Sequence, residues 1–235
     1  MELTAETLVL GALWWVVFLF STTLHEAAHA WSALKLGDPT AYEGGQVTLN
    51  PVPHVRRSLF GMVLVPWLSF AFAGWMIGWA SAPYDPQWAD RHPRRSAWMS
   101  LAGPASNLLL VLVSGIVIRV GLGMGIFEAP LRITFSEMTT APDPAWGGVA
   151  TVVSIAFTLN LLLFAFNLLP VPPLDGSGAV PLFLSESAAR KYHELLFGQP
   201  ALSLLGIVIA WRLFEGIFPP LWGWSVDVLY PGMYS

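Results

Sequence analysis

The sequence contains no cysteine. Neither a disulfide framework nor a thiolate metal site can form, so any metal must be held through His, Asp or Glu. Charge is scarce as well: only 11% of the 235 residues are Asp, Glu, Lys or Arg, and the net charge is −4. No basic run and no interleaving of basic with aromatic residues occurs, which argues against a nucleic-acid partner. The opening MELTAETLVL carries Glu2 and Glu6 but no Lys or Arg. It lacks the positive n-region of a signal peptide, so the first helix is expected to be retained. Internal repeats and low-complexity tracts are missing too, which excludes a solenoid or array.

What is present is apolar. Hydrophobic residues make up 55% of the chain and the mean hydropathy is +0.60, which points to a lipid bilayer as solvent. Five apolar segments, 7–34, 59–80, 97–120, 149–169 and 199–218, are each long enough or nearly so to cross about 30 Å of hydrocarbon. The expected fold is an all-α polytopic membrane protein, one membrane-embedded domain over 1–235 with its core at 7–185 and a C-terminal helix at 199–218. About four helices span, and segment 59–80 either re-enters or spans. GGQVTLN predicts a short β-hairpin near residues 43–50. After the fourth segment, NLLPVPPLDGSG cannot continue a helix, because its prolines and glycines break it.

Lys and Arg placement supplies the orientation, since cytoplasmic loops hold an excess of them. Lys35, Arg56, Arg57, Arg91, Arg94, Arg95, Arg190 and Lys191 all fall on one face if segment 59–80, interrupted by Pro66, Gly74 and Gly78, dips in and returns. They fall on opposite faces if it spans. The re-entrant path is favoured, with a tilted span as the alternative; the N-terminus and the acidic 121–148 loop then face outward.

Within the first segment, HEAAH places His25 and His29 one helical turn apart, where both imidazoles can bind one zinc ion. Glu26 projects beside them and can take a proton from a water that the metal acidifies to a pKa of about 7. Counted from Leu8, His25 lies about 25 Å along the helix, still at membrane depth. Ionisable groups there are costly and mark interior functional sites. The bland alternative is an interfacial, hydrogen-bonded pair just outside the hydrocarbon. A third protein ligand is needed. HExxHxxGxxH is not continued, because Ser32 and Lys35 stand where Gly and His are required. Glu43 is the nearest downstream carboxylate but sits in a Gly-rich loop. Asp175 is the stronger candidate: it is the only charged residue between Asp143 and Glu186, and it follows irregular backbone of the kind tolerated at membrane depth only around a cavity. A simple Asp-Gly turn outside the bilayer is the other reading. His25, His29 and Asp175 come level only if segment 59–80 returns to the face it left.

HEAAHA on an early membrane helix, AGPASN opening the third segment and NLLPVPPLDG ending the fourth resemble the site-2 protease family of intramembrane zinc metalloproteases, in the family's order and over about residues 7 to 185. The resemblance implies one zinc ion held by His25, His29 and Asp175, with Glu26 as catalytic base and later proton donor. It also implies cleavage of a transmembrane protein substrate near the cytoplasmic side, often after a separate upstream protease has trimmed it. GDPTA, VTLNPVPH and GWASAPYDP are similar to a compact bacterial subgroup, which implies a bacterial inner-membrane protein. HVRRS and GWASAP stand where that subgroup would carry HIDP and GWAKPVP. No PDZ or CBS domain fits in the chain, so such regulatory modules are absent or separate.

Several further roles follow from the residues. A substrate helix must be unwound and held extended, which the edge of GGQVTLN could do by strand addition; an ordinary surface hairpin is the alternative. Asn107 and Asn167 could hold substrate backbone or help stabilise the oxyanion, although Asn107 also reads as a helix cap. Asn160, one heptad before Asn167, either faces the same interior or bonds a neighbouring helix. His54 could be a loop residue near the site, with a solvated histidine beside Arg56 and Arg57 as the favoured reading. A metal-binding or metal-transport protein without protease activity is the rival function. It has no evident need for Glu26.

Overall fold

Thr4 starts the first helix by accepting the Thr7 N–H on its side-chain oxygen at 3.2 Å, and α1 (Ala5–Leu36) runs until Gly37, which caps it in a left-handed conformation. The computed structural model describes residues 4–197 and 200–234. After α1 come short helices α2 (Thr40–Glu43) and α3 (Pro51–Arg57), a π-helical turn at Phe60–Leu64 leading into α4 (Val65–Ala73), and α5 (Pro86–Arg91). The long helices α6 (Pro93–Gly123) and α7 (Gly147–Asn167) follow, then α8 (Asp175–Ala179), α9 (Glu186–Phe197) and α10 (Pro200–Leu229).

Four stretches, Ala5–Leu36, Pro93–Gly123, Pro144–Asn167 and Leu204–Leu229, are long and apolar enough to cross a membrane. They pack through two apolar clusters. Trp14, Val17 and Phe18 of α1 meet Ile155 and Leu159 of α7 together with Met62, Phe70 and Met76. Val111 and Ile118 of α6 meet Phe157, Leu161 and Leu162 of α7 and Phe214 and Phe218 of α10. In lipid such contacts stabilise by close van der Waals packing rather than by release of water. Val16, Phe20, Leu109, Ile116, Leu205 and Val208 point outward and remain exposed, as lipid-facing side chains should.

Between α1 and α6 the chain doubles back. Pro51–Arg57 and Phe60–Ala73 meet at a bend of 111°, and Gly74, with φ of 78°, closes α4. The return is extended: Ile77 N–H donates to Ser69 Oγ at 3.0 Å and Trp79 N–H to Gly61 O at 3.2 Å. Gly61 and Trp79, near the two ends of the segment, therefore lie side by side, and the bent pair is a broken span or a re-entrant loop. Gly61 is required there, because a Cβ would stand 2.1 Å from Trp79 O.

Two expectations need correction. The β-hairpin near 43–50 does not form. Thr40–Glu43 is helical, Gly45 turns with φ of 69°, Gln46 N–H bonds back to Ala41 O at 2.8 Å, and Asn50 accepts the Val52 N–H to cap α3. These local bonds engage backbone that a ladder would have used. Among the described residues the only β-pairings are isolated bridges, Glu128 with Thr140 and Thr134 with Glu137. The C-terminal helix, expected to stop at 218, continues to Leu229 through Pro219 and Pro220. Packing of Phe214, Phe218, Leu221 and Trp222 into the core supports the turn whose backbone bonds the prolines remove.

Candidate metal centre

The i, i+4 spacing of the α1 histidines brings their Nε2 atoms to 3.0 Å. The break after α7 returns the chain to the same level, and Asp175, the first residue of α8, places Oδ2 3.0 Å from His25 Nε2 and 3.3 Å from His29 Nε2. Among the described residues these three form the one group with metal-ligand geometry, their donor atoms all within 4.8 Å of one another. Glu43 lies exposed at the end of α2, outside the group.

Each imidazole is held from behind. His29 Nδ1 lies 2.8 Å from Met99 O, a carbonyl that can only accept, so Nδ1 carries a proton and the neutral ring has its lone pair on Nε2, the form a metal requires. His25 Nδ1 lies 2.6 Å from Asn107 Oδ1. In their neutral forms the two rings turn lone pairs toward Asp175 Oδ2, 3.0 and 3.3 Å away, with no proton among the three facing atoms. This arrangement is unfavourable without a cation between the three atoms. Gly103 of α6 keeps that space open, because a Cβ there would stand 2.3 Å from His29 Nε2 and 2.5 Å from His25 Nε2. Two nitrogens and one carboxylate oxygen with an open fourth side suit a catalytic zinc site.

Glu26, 4% exposed, borders a cleft of about 230 Å³ together with His29 and Asp175. Residues 80–84, Ser96 and Ser100 also line the cleft. No hydrogen bond within the described residues uses the backbone of 80–84. Just beyond it, Asp38, a carboxylate 1% exposed, accepts the Asp85 N–H on Oδ2 at 2.9 Å and the Thr40 N–H on Oδ1 at 3.0 Å. Tyr84 in this wall has its phenol pushed above the usual range by burial and by Asp90, so it stays protonated.

The remaining predicted residues are placed differently from one another. Asn107 lies inside α6 rather than at its start, so it caps nothing. It is fully buried, with Oδ1 on His25 and Nδ2 donating to Asn160 Oδ1 at 2.8 Å; both ends of its amide are engaged within the protein. Asn167 ends α7, and within the described residues no hydrogen bond engages its side chain. His54 is buried, not solvated; its Nε2–H donates to Thr48 O at 3.0 Å. In the sequence, Asp38, Gly103 and residues 80–84 stand only within GDPTA, AGPASN and GWASAPYDP, points of resemblance that carry no site role of their own. The available signals were the Asp-Pro-Thr turn after α1 and a glycine preceding Pro104.

The profile of Peptidase family M50 matches residues 13–210. The chain is 32% identical over 225 residues to "Putative zinc metalloprotease YwhC" of Bacillus subtilis, covering 88% of this chain and 92% of that protein. It is 32% identical over 216 residues to "Putative zinc metalloprotease Rip2" of Mycobacterium tuberculosis, covering 91% and 70% respectively. No solved structure matches it. With HEAAH and Asp175 converging on one site in a helical, membrane-length scaffold, the chain belongs to peptidase family M50, the site-2 protease family of zinc metallopeptidases.

Proposed function

We propose that this zinc metalloendopeptidase hydrolyses a peptide bond in or near a transmembrane segment of a membrane-protein substrate, with His25, His29 and Asp175 as metal ligands and Glu26 as catalytic base and then proton donor. The observation that carries this reading is the convergence of three donor atoms within 4.8 Å on the cleft that Glu26 borders. When bound, zinc would polarise the scissile carbonyl and lower the pKa of a water to about 7. The Glu26 carboxylate accepts a proton from the attacking water and delivers it to the amide nitrogen as the C–N bond breaks. Metal transport is less well supported, because a relay of sites would be needed and the described residues offer one group.

A transmembrane helix hides its amides in its own hydrogen bonds, so the substrate must be held extended to be cut. The backbone of 80–84, unengaged within the described residues and lining the same cleft as His29, Asp175 and Glu26, suits strand addition, a role expected at GGQVTLN, which forms no strand. The unengaged Asn167 amide is a candidate to hold substrate backbone or the oxyanion. One assay reads both proposals. A detergent-solubilised membrane-protein substrate should be cleaved until zinc is chelated and again after zinc is restored; cleavage indifferent to chelation would sink the metal reading. Ala82→Pro, which removes one N–H from the wall, should raise KM roughly five- to tenfold, the worth of about one hydrogen bond, at unchanged zinc content. An unchanged KM would remove the docking role.

The Lys and Arg distribution supports a cytoplasmic location for the metal end of α1, in a bacterial inner membrane, with a separate protease trimming the substrate from outside. Because the chain has no native cysteine, Ser58→Cys and Ser96→Cys can be labelled from either side with membrane-impermeant thiol reagents. Both should label from the cytoplasmic face only. Labelling from opposite faces would refute the re-entrant path.

A further inference from the structure

Four side chains and one carbonyl from three helices form a directed line behind the metal group. Asn160 Nδ2 of α7 donates to Ala156 O at 2.8 Å and to Ser21 Oγ of α1 at 2.9 Å. Its Oδ1 accepts from Asn107 Nδ2 of α6 at 2.8 Å, and Asn107 Oδ1 faces His25 Nδ1 at 2.6 Å. Asn107 and Asn160 are both fully buried, so no solvent can exchange for these partners.

The direction of the line follows from its far end. Ala156 O has no proton to give, so the Asn160 group facing it must be the NH2, which turns Oδ1 toward Asn107. Asn107 must then present its own NH2 to Asn160 and its oxygen to His25. An oxygen at that point requires a proton on His25 Nδ1, and the Nε2 lone pair is thereby directed at Asp175 and His29. A reversed Asn107 would offer N–H to Nδ1, favour the proton on Nε2 and block the ligand atom.

We infer that Asn160 is a positioning residue of the metal centre: through Asn107 it sets which nitrogen of His25 is available as a ligand. This rests on the reading of His25 as a metal ligand. Its role differs from a packing role in one respect. A carboxylate at 107 accepts a hydrogen bond whichever way it is turned, so with Asp at 107 nothing remains for Asn160 to orient.

The test is zinc affinity of the purified full chain, measured by competition with a chromophoric chelator, with thermal unfolding followed in parallel. Asn160→Leu should bind zinc roughly tenfold more weakly, the usual scale for losing a partner of a ligating histidine. The double variant Asn107→Asp with Asn160→Leu should recover to within about threefold of wild type. Asn160→Ala, alone and with Asn107→Asp, gives the same comparison if leucine prevents folding. Unchanged affinity in the single variants, or no recovery in the doubles, overturns the inference. A wild-type chain that binds no zinc would instead overturn the ligand reading beneath it.

Discussion

Glu26→Gln should leave zinc content at the wild-type level and reduce cleavage of a membrane-protein substrate by about 10²- to 10⁴-fold, the span general acid–base catalysis contributes. The side chain is nearly isosteric, and Glu26 is not among the three residues whose donor atoms converge, so the metal group should be undisturbed. A glutamine cannot accept the proton of the attacking water or return one to the leaving nitrogen, so both transfers fail together. Measuring bound zinc and cleavage on the same preparation separates base from ligand. Cleavage persisting near the wild-type rate would remove Glu26 from the mechanism. Loss of zinc alongside cleavage would make it a ligand or a structural neighbour instead.

Gly103→Ala should abolish high-affinity zinc binding, weakening it by at least about 100-fold, beyond what losing a single hydrogen-bond partner of a ligand typically costs. The added carbon would stand 2.3 Å from His29 Nε2 and 2.5 Å from His25 Nε2, well inside contact distance. The rings have little freedom to yield, because Asn107 and Met99 hold their far nitrogens at 2.6 and 2.8 Å. Forcing them aside costs about 1–3 kcal/mol of stability, as overpacking usually does. Gly115→Ala on the same helix is the control, since its nearest neighbour would be Phe157 at an ordinary 3.4 Å; it should keep both zinc and fold. Zinc bound by Gly103→Ala with wild-type affinity would show that the ion does not occupy the space between the histidines and α6.

The metal group was legible because its chemistry is rare in its surroundings. Two histidines four apart in an apolar helix, and one aspartate after a proline break, stand out against mostly apolar neighbours. The same contrast exposed the long helices. The amides were harder, because Asn107, Asn160 and Asn167 look alike in a sequence, and only the packing of α1, α6 and α7 decides that two of them face one another behind His25 while the third ends a helix. The Gly44–Gly45 stretch carries turn signals that suit a hairpin as well as a helical turn feeding the cap at Asn50, and no local rule chooses between them. Pro219 and Pro220 marked a helix end by propensity, yet aromatic packing carried α10 past them. The 80–84 lining was hidden for another reason: its place in the cleft comes from long-range packing, of which the Asp38 bond to Asp85, 47 positions later, is one part.

The doubled-back stretch between α1 and α6 has a consequence for biogenesis. His25 and His29 are made early and Asp175 well over a hundred residues later, and as the proposed ligands they could share an ion only when every intervening segment has been threaded in the correct sense. Were 59–80 to insert as a full crossing, the carboxylate would emerge on the far side of the bilayer. With the proposed ligand set, metal occupancy would double as a record of insertion: chains threaded in the wrong sense could not assemble the site, and their fraction would be read before any substrate is supplied.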